Sequence, residues 1–377
     1  MANKNRVRNL FLDLVRINSP SKQERGIADY VKAKLSDLGF RVEEDDTGSK
    51  INGSAGNVIA FKKGNAVDAR AIFFCCHMDT VEPTDKLNLV IEDDVIKSDG
   101  TAILGADDKA GIAAVIEGIE SILESGKPHG DIQVLFDVSE EIGLLGAKNL
   151  DLSKIKADLG YVFDTHKPVA GITLSAPTHE VVTVEIHGKA AHAGIAPEKG
   201  ISAIVAASRA IAGMKLGRID EETTANVGII SGGKARNIIP DHVAIKGEAR
   251  SRNESKLVAQ VEHMKRLFEE EAAKIGARAV VETAREYTGF RWTENDEVVK
   301  LAAEASRRIG IEPSYHDGGG GSDANIFNNA GIPCVVIGVG YENPHATNEY
   351  INVGDLAKAA DYVAALVQTA AENPNLR

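Results

Sequence analysis

Five short stretches of the chain carry side chains able to bind a metal or move a proton: His77-Met78-Asp79, Asp107-Asp108, Glu140-Glu141 in FDVSEEIGLLG, Asp164 in FDTH, and His345 in ENPHATNEY. Singly, each has an ordinary explanation. Glutamate is rarely buried unless paired, so an isolated EE dipeptide reads as a solvated turn. One of two aspartates ahead of a helix serves as its N-cap, and the two histidines and Asp164 would pass as polar loop residues. Together they resist that explanation, because His77, Glu140, Glu141, Asp164 and His345 all fall just past apolar runs and Asp107 opens a helix. Two imidazoles and several carboxylates, with no paired cysteines, make a nitrogen–oxygen set that suits zinc, or cobalt or manganese.

The ligands divide naturally if Asp107 bridges two ions. His77, Asp107 and Asp164 then hold one, and Asp107, Glu141 and His345 the other. Three carboxylates nearly offset two divalent cations, and a hydroxide supplies the remaining charge, since metal binding lowers the pKa of water to about 7. Neighbouring side chains in extended chain diverge, so Glu141 can turn onto a metal while Glu140 stays free as general base. By the same alternation His77 and Asp79 point one way, and Asp79 is expected to accept the second ring N–H of His77.

Buried strands must bring these residues to one edge. Ala71–Cys76 (AIFFCC), Ile132–Val138 (IQVLFDV), Leu159–Phe163 (LGYVF) and Pro333–Val339 (PCVVIGV) are short, unbroken apolar runs, the pattern of strands buried on both faces of a largely parallel sheet. Helical spacing runs through Val7–Val15, Asp108–Glu124, Glu294–Arg308 and Gly354–Ala371, and Ser21-x-x-Glu24 reads as a capping box for a second helix. Strands alternating with helices define an α/β fold with helices on both sheet faces. Functional sites in such sheets lie at the carboxyl ends of the strands.

The middle of the chain differs, because His179–His187 and much of His242–Arg250 alternate apolar and polar residues, as in a sheet with one wet face. The order from 179 to 287 is strand, helix, strand, strand, helix, strand, the ferredoxin-like split βαβ arrangement. The expected domains are therefore a discontinuous catalytic domain, 1–177 with 288–377, and an inserted α+β domain, 178–287.

The chain has 377 residues, ample for two such cores, and a net charge of −12 that disfavours a nucleic-acid partner. Cys75, Cys76 and Cys334 are odd in number and two are adjacent, which favours reduced thiols and a cytoplasmic location. No signal-peptide core and no apolar run long enough to span a membrane is evident.

The motifs HMDTV (77–81), LGADDKAG (104–111), SEEIGLLGA (139–147), FDTH, GKAAHAG (188–194), ARNIIPD (235–241), GEAR (247–250) and His345 jointly resemble the dinuclear zinc hydrolases that include peptidase T, carboxypeptidase G-type enzymes and aminoacylases, with peptidase T-like proteins nearest. The resemblance implies two zinc ions per subunit on the ligands already divided, Asp79 supporting His77, and Glu140 as general base and acid. It implies that the inserted domain is a lid that dimerises and lends His192 to the partner's site for the oxyanion, and that Asn237 and Arg250 hold substrate. Short peptides, tripeptides in particular, are the implied substrates. Hydrolysis of N-acyl amino acids or carboxypeptidase G-type activity is the alternative, as is a metal-dependent peptide binder that has lost catalysis. The run DGGGGSDANIF (317–327) lacks the G-K-[ST] of a phosphate loop and is expected to be a mobile loop facing the site, with Ser322 and Asp323 near substrate.

Overall fold

The computed structural model describes residues 1–373, which form two compact units. Of the described residues, the first comprises Met1–Ser175, Trp292–Gly318 and 322–373; the second comprises Ala176–Arg291 with Gly319–Gly321.

The apolar runs form the centre of the first unit's mixed sheet. Ile72–His77 pairs in parallel with Ile132–Asp137 on one side and Leu159–Thr165 on the other, and Cys334–Gly338 pairs in parallel with Leu159–Thr165. Every residue of Ile72–His77 and Ile132–Asp137 is buried, which explains their lack of polar alternation. Antiparallel strands flank this centre, Val58–Lys62 and then Arg41–Glu44 beyond Ile132–Asp137, and Gly171–Ala176 beyond Cys334–Gly338. Successive residues of the central strand serve opposite faces. Phe73 meets Phe327 of helix Asp323–Asn329 edge-on at 5.2 Å, whereas Phe74 packs on Tyr161 and Phe163, and Phe163 reaches Tyr362 of helix Val353–Glu372. Each fully buried aromatic contributes roughly 1.5–3 kcal/mol, and together they clamp the strands that carry the candidate ligands. Helix Ala106–Ser125 lies against Ile72–His77 and Leu159–Thr165 and is covered by Val353–Glu372 and Lys4–Val15.

In the second unit, Thr178–His187, helix Ala203–Gly213, Thr223–Gly232, His242–Ser251, helix Glu254–Lys274 and Arg278–Tyr287 follow in sequence. The antiparallel sheet places the first long strand between the third and the fourth, with the second beyond the third, as in ferredoxin-like domains. Val182, Val184 and Ile186 on one sheet face are buried with Ala206, Leu257, Met264 and Phe268 of the two helices.

Two caps expected from sequence do not form. The second helix, Arg25–Asp37, starts after Glu24 without a side-chain cap, because Ser21 and Glu24 have stronger tertiary partners. Ser21 Oγ donates to Asp79 Oδ2 at 2.6 Å, and Glu24 Oε1 accepts from Ser139 Oγ at 2.7 Å. Helix Ala106–Ser125 likewise takes neither Asp107 nor Asp108 as cap; its N-cap is Gly105, at φ +77°. Among the described residues no helix is long and apolar enough to cross a membrane.

Candidate metal centre

Parallel pairing aligns the strand ends, so His77, Asp164, the turn after Asp137 and the loop after Gly338 converge on one edge. His77 Nε2 lies 3.2 Å from Asp107 Oδ1 and 3.7 Å from Asp164 Oδ1. His345 Nε2 lies 3.3 Å from Asp107 Oδ2 and 2.9 Å from Glu141 Oε1. One carboxylate thus turns one oxygen to each imidazole, and the five side chains form two groups of potential ligands that share Asp107.

Two backbone features aim these groups. Ser139, at φ +56°, sends the chain from the buried strand into Glu140-Glu141, and His345 itself sits at φ +61°. Left-handed conformations cost a non-glycine residue about 1–3 kcal/mol and are retained where the surroundings over-determine them. At Ser139 those surroundings are Glu24 and the Lys22 N–H, which donates to Ser139 Oγ at 3.0 Å.

Asp79 is fully buried and organises the same turn from below. Its Oδ1 accepts the Glu140 N–H at 3.0 Å and its Oδ2 the Glu141 N–H at 3.3 Å. The nearest acceptor to His77 Nδ1 is the backbone oxygen of Asp79, at 2.9 Å, with Oδ1 farther off at 3.4 Å. The residue expected from the H-x-D spacing therefore fixes the imidazole mainly through its main chain. Glu140 makes its hydrogen bond to Asp79 through the backbone, and its carboxylate, close enough to Asp164 and Glu141 to feel their charges, falls in neither group of potential ligands.

The charge pattern follows from crowding carboxylates around two imidazoles. Burial works against ionised Asp107, but His345 and His77 hold its carboxyl below the ordinary value. His345 in turn is raised to about 10 by Asp107 and Glu141. Burial, reinforced by the charge of Asp164, pushes Glu140 well up. Imidazolium groups thus neutralise the carboxylates when no cation lies between them. The residues fit a metal on a separate count: Glu141 Oε1 is buried and accepts no aligned hydrogen bond although His345 Nε2 is 2.9 Å away. Two nitrogen–oxygen groups that share Asp107, one of them holding this bare acceptor, are a donor set that zinc joins well.

The remaining sequence-predicted residues belong to the second unit. His192 is exposed and its Nδ1 accepts the backbone N–H groups of Gly194 and Ile195 at 3.2 Å. Asn237, also exposed, accepts the Ala193 N–H at 2.9 Å on its backbone oxygen, so the two lie side by side. Arg250 donates to Glu248 Oε2 at 3.0 Å and to Tyr287 Oη at 3.2 Å. Gly321 packs so tightly on the Tyr287 ring that a Cβ there would collide with it. Ser322 and Asp323 correct the expectation of a substrate loop. Ser322 is the N-cap of helix Asp323–Asn329 in a capping box with Asn325, and Asp323 is buried beside Asp137 and Cys75.

Ser21, Glu24, Ser139, Tyr341 and Glu349 all support the centre and were not singled out as site residues from sequence. Tyr341 Oη donates to Asp107 Oδ1 at 3.0 Å. The one signal for Glu349 is that NPHATNEY keeps a carboxylate four residues past its histidine.

A sheet edge that gathers two imidazoles around a shared carboxylate, with a spare glutamate beside it, is the architecture of a metal-dependent hydrolase. The chain belongs to Peptidase family M20/M25/M40, whose model matches residues 73–369, and it is a peptidase. It is 47% identical over 372 residues to the uncharacterized protein YqjE of Bacillus subtilis, covering 99% of this chain and 100% of that one. Among solved structures it is similar to the aminopeptidase PepT from Bacillus cereus, with 47% identity, a TM-score of 0.90, and 98% and 99% of the two chains covered. A tripeptidase from Staphylococcus aureus is similar at 40% identity and a TM-score of 0.94, with 99% and 100% covered.

Proposed function

We propose that this peptidase acts on short peptides, tripeptides foremost, through two zinc ions that share Asp107. The observation that carries this is the division of the Asp107 carboxylate between His77 and His345. Similarity to proteins named as an aminopeptidase and a tripeptidase supports the substrate class. His77, Asp107 and Asp164 would hold one ion and Asp107, Glu141 and His345 the other. When bound, the pair polarises the scissile carbonyl and acidifies the attacking water.

The other steps fall to side chains of the protein. Asp79 steadies His77 and the N–H groups of both glutamates. Glu140 takes the proton from water and returns it to the leaving amine; burial, which raises its proton affinity, suits a group that must hold a proton between two transfers. His192, lent by a second copy of the chain, donates to the oxyanion. Asn237 and Arg250 hold the substrate main chain or terminal carboxylate, for which a planar guanidinium is a natural partner.

The second unit is the lid and dimerisation domain in this account. Strand Thr223–Gly232 pairs on its outer side with Gly217–Arg218 only as far as Ala225, and beyond that exposes Ile229 (57%) and Ile230 (51%). An open apolar edge of this kind favours addition of a second strand. Three free, buried thiols favour a cytoplasmic, reducing location.

The test is to incubate zinc-loaded protein with dipeptides, tripeptides, longer peptides and N-acyl amino acids and read the products by mass spectrometry. Release of the N-terminal residue, fastest from tripeptides, is expected. Cleavage of N-acyl amino acids alone, release of the C-terminal residue alone, or no hydrolysis would contradict the proposal and favour, in turn, an amidohydrolase, a carboxypeptidase G-type enzyme or a peptide-binding protein.

A further inference from the structure

We propose that Glu349 is a positioning residue of the metal centre: its carboxylate fixes the backbone of the bridging ligand Asp107 and ties it to the loop that carries His345. The inference rests on the dinuclear reading of the site. Glu349 is fully buried, yet its carboxylate oxygens are taken up by main chain. Oε2 accepts the Gly105 N–H at 2.7 Å and Oε1 the Asp107 N–H at 3.0 Å.

These are the orphan donors that every helix start leaves unpaired. Helix Ala106–Ser125 opens on Gly105 without a side-chain cap of its own, and Asp107, at φ −80° and ψ 104°, is not yet helical. The missing cap therefore comes from a residue more than two hundred positions away. A carboxylate that accepts two such N–H groups satisfies donors the helix start leaves unpaired and faces the positive end of the helix.

Glu349 does not act from an unrelated part of the fold. Glu342 and Tyr350 pair through two backbone hydrogen bonds, of 2.9 and 3.1 Å, and so pinch off a loop that contains His345 and Glu349, with Tyr341 just before it. This one segment meets Asp107 at three points. Tyr341 Oη donates to Oδ1 at 3.0 Å, His345 Nε2 faces Oδ2 at 3.3 Å, and Glu349 holds the peptide N–H. A cap serving only the helix would not require that the capped N–H belong to the bridging ligand. Here the arrangement fixes where both Asp107 oxygens point, and outer partners of this kind alter metal affinity about 10–100-fold.

The experiment measures zinc affinity of the full-length, metal-stripped chain by competition with a chromophoric chelator. Parent, Glu349→Gln, Glu349→Ala and Tyr341→Phe are compared, with exposed Glu92→Gln as control, and thermal unfolding of each metal-free variant is recorded. Glutamine keeps the volume and one acceptor, so the order parent, Gln, Ala is expected. Glu349→Ala should lose about 10–100-fold in affinity for both ions, and Tyr341→Phe about 2–10-fold, the worth of one hydrogen bond. The metal-free melting temperature of Glu349→Gln should stay near the parent's. Affinity of Glu349→Gln within threefold of parent, or an affinity loss that merely follows melting of the metal-free chain, overturns the positioning role. Failure of the parent itself to bind two ions overturns the dinuclear reading instead.

Discussion

Replacing Glu140 by Gln separates catalysis from metal binding. The change keeps the side chain's volume and leaves its backbone N–H donating to Asp79 Oδ1 at 3.0 Å, so the turn that carries Glu141 stays in place. Glu140 is in neither ligand group, and zinc content should be unchanged. What is lost is the proton acceptor. General-base catalysis contributes about 100- to 10,000-fold, roughly 3–5 kcal/mol of barrier at 1.36 kcal/mol per tenfold, and kcat should fall by that factor. The site's charges yield a second outcome. Burial, reinforced by the charges of Asp164, Asp323 and Glu141, disfavours a charge on Glu140, so a neutral glutamine removes the cost of protonating this carboxylate on folding and the metal-free variant should melt at or above the parent's temperature. The assay is kcat on a tripeptide with zinc measured on the same sample, alongside unfolding of metal-free protein. Near-parental kcat refutes the assignment of the base, and a drop in kcat matched by loss of zinc refutes the separation of roles.

Other predictions concern the frame around the site. A Cβ at Gly111 would collide with Asp108 Oδ1 and the Phe163 backbone oxygen, next to the proposed ligand Asp164, so Gly111→Ala should cost about 1–3 kcal/mol in a denaturant titration. If the proposed dimer forms through the open edge of Thr223–Gly232, Ile230→Asp should shift it to monomer in sedimentation and reduce peptidase activity with it; a parent that is monomeric, or a variant dimer that is unchanged, would contradict that interface. Glu44 is partly buried, which opposes its charge, but Arg25, the Gly56 N–H and Lys32 hold its carboxyl at about 2 against an ordinary 4.5. Its contribution to stability is complete above pH 4.5 and disappears as pH falls toward about 2. Glu44→Gln should flatten the acid limb of the stability profile in that window.

The centre of the fold was legible because its signals are local. Runs such as IFFCC and QVLFD are buried on both faces, so their composition alone marks them as central strands, and the polar residues directly after them mark the functional edge. Asp107 was legible as a ligand candidate because a helix start needs one acidic residue and the sequence offers two. The same logic failed on who provides the cap. Ser21, Glu24 and Glu349 have types that suit local capping or a solvated loop, but each bonds a residue distant in the chain, which no sequence window contains. Ser322 failed in the opposite direction: a serine beside a glycine run looked available to substrate and is used up in an ordinary capping box. The flanking strands Arg41–Glu44 and Gly171–Ala176 passed unnoticed because they are short and their register is set by neighbours.

The central claim is that one carboxylate, Asp107, organises two metal ions. Anomalous diffraction at the zinc edge from crystals of the zinc-loaded full-length chain, with metal content of the same preparation measured by mass spectrometry, tests it most directly. The account predicts two ions per chain, one between His77 and Asp164 and one between Glu141 and His345, both contacting Asp107, and less than one ion per chain in Asp107→Ala. A single ion in the parent, or two fully occupied ions in Asp107→Ala, would contradict it.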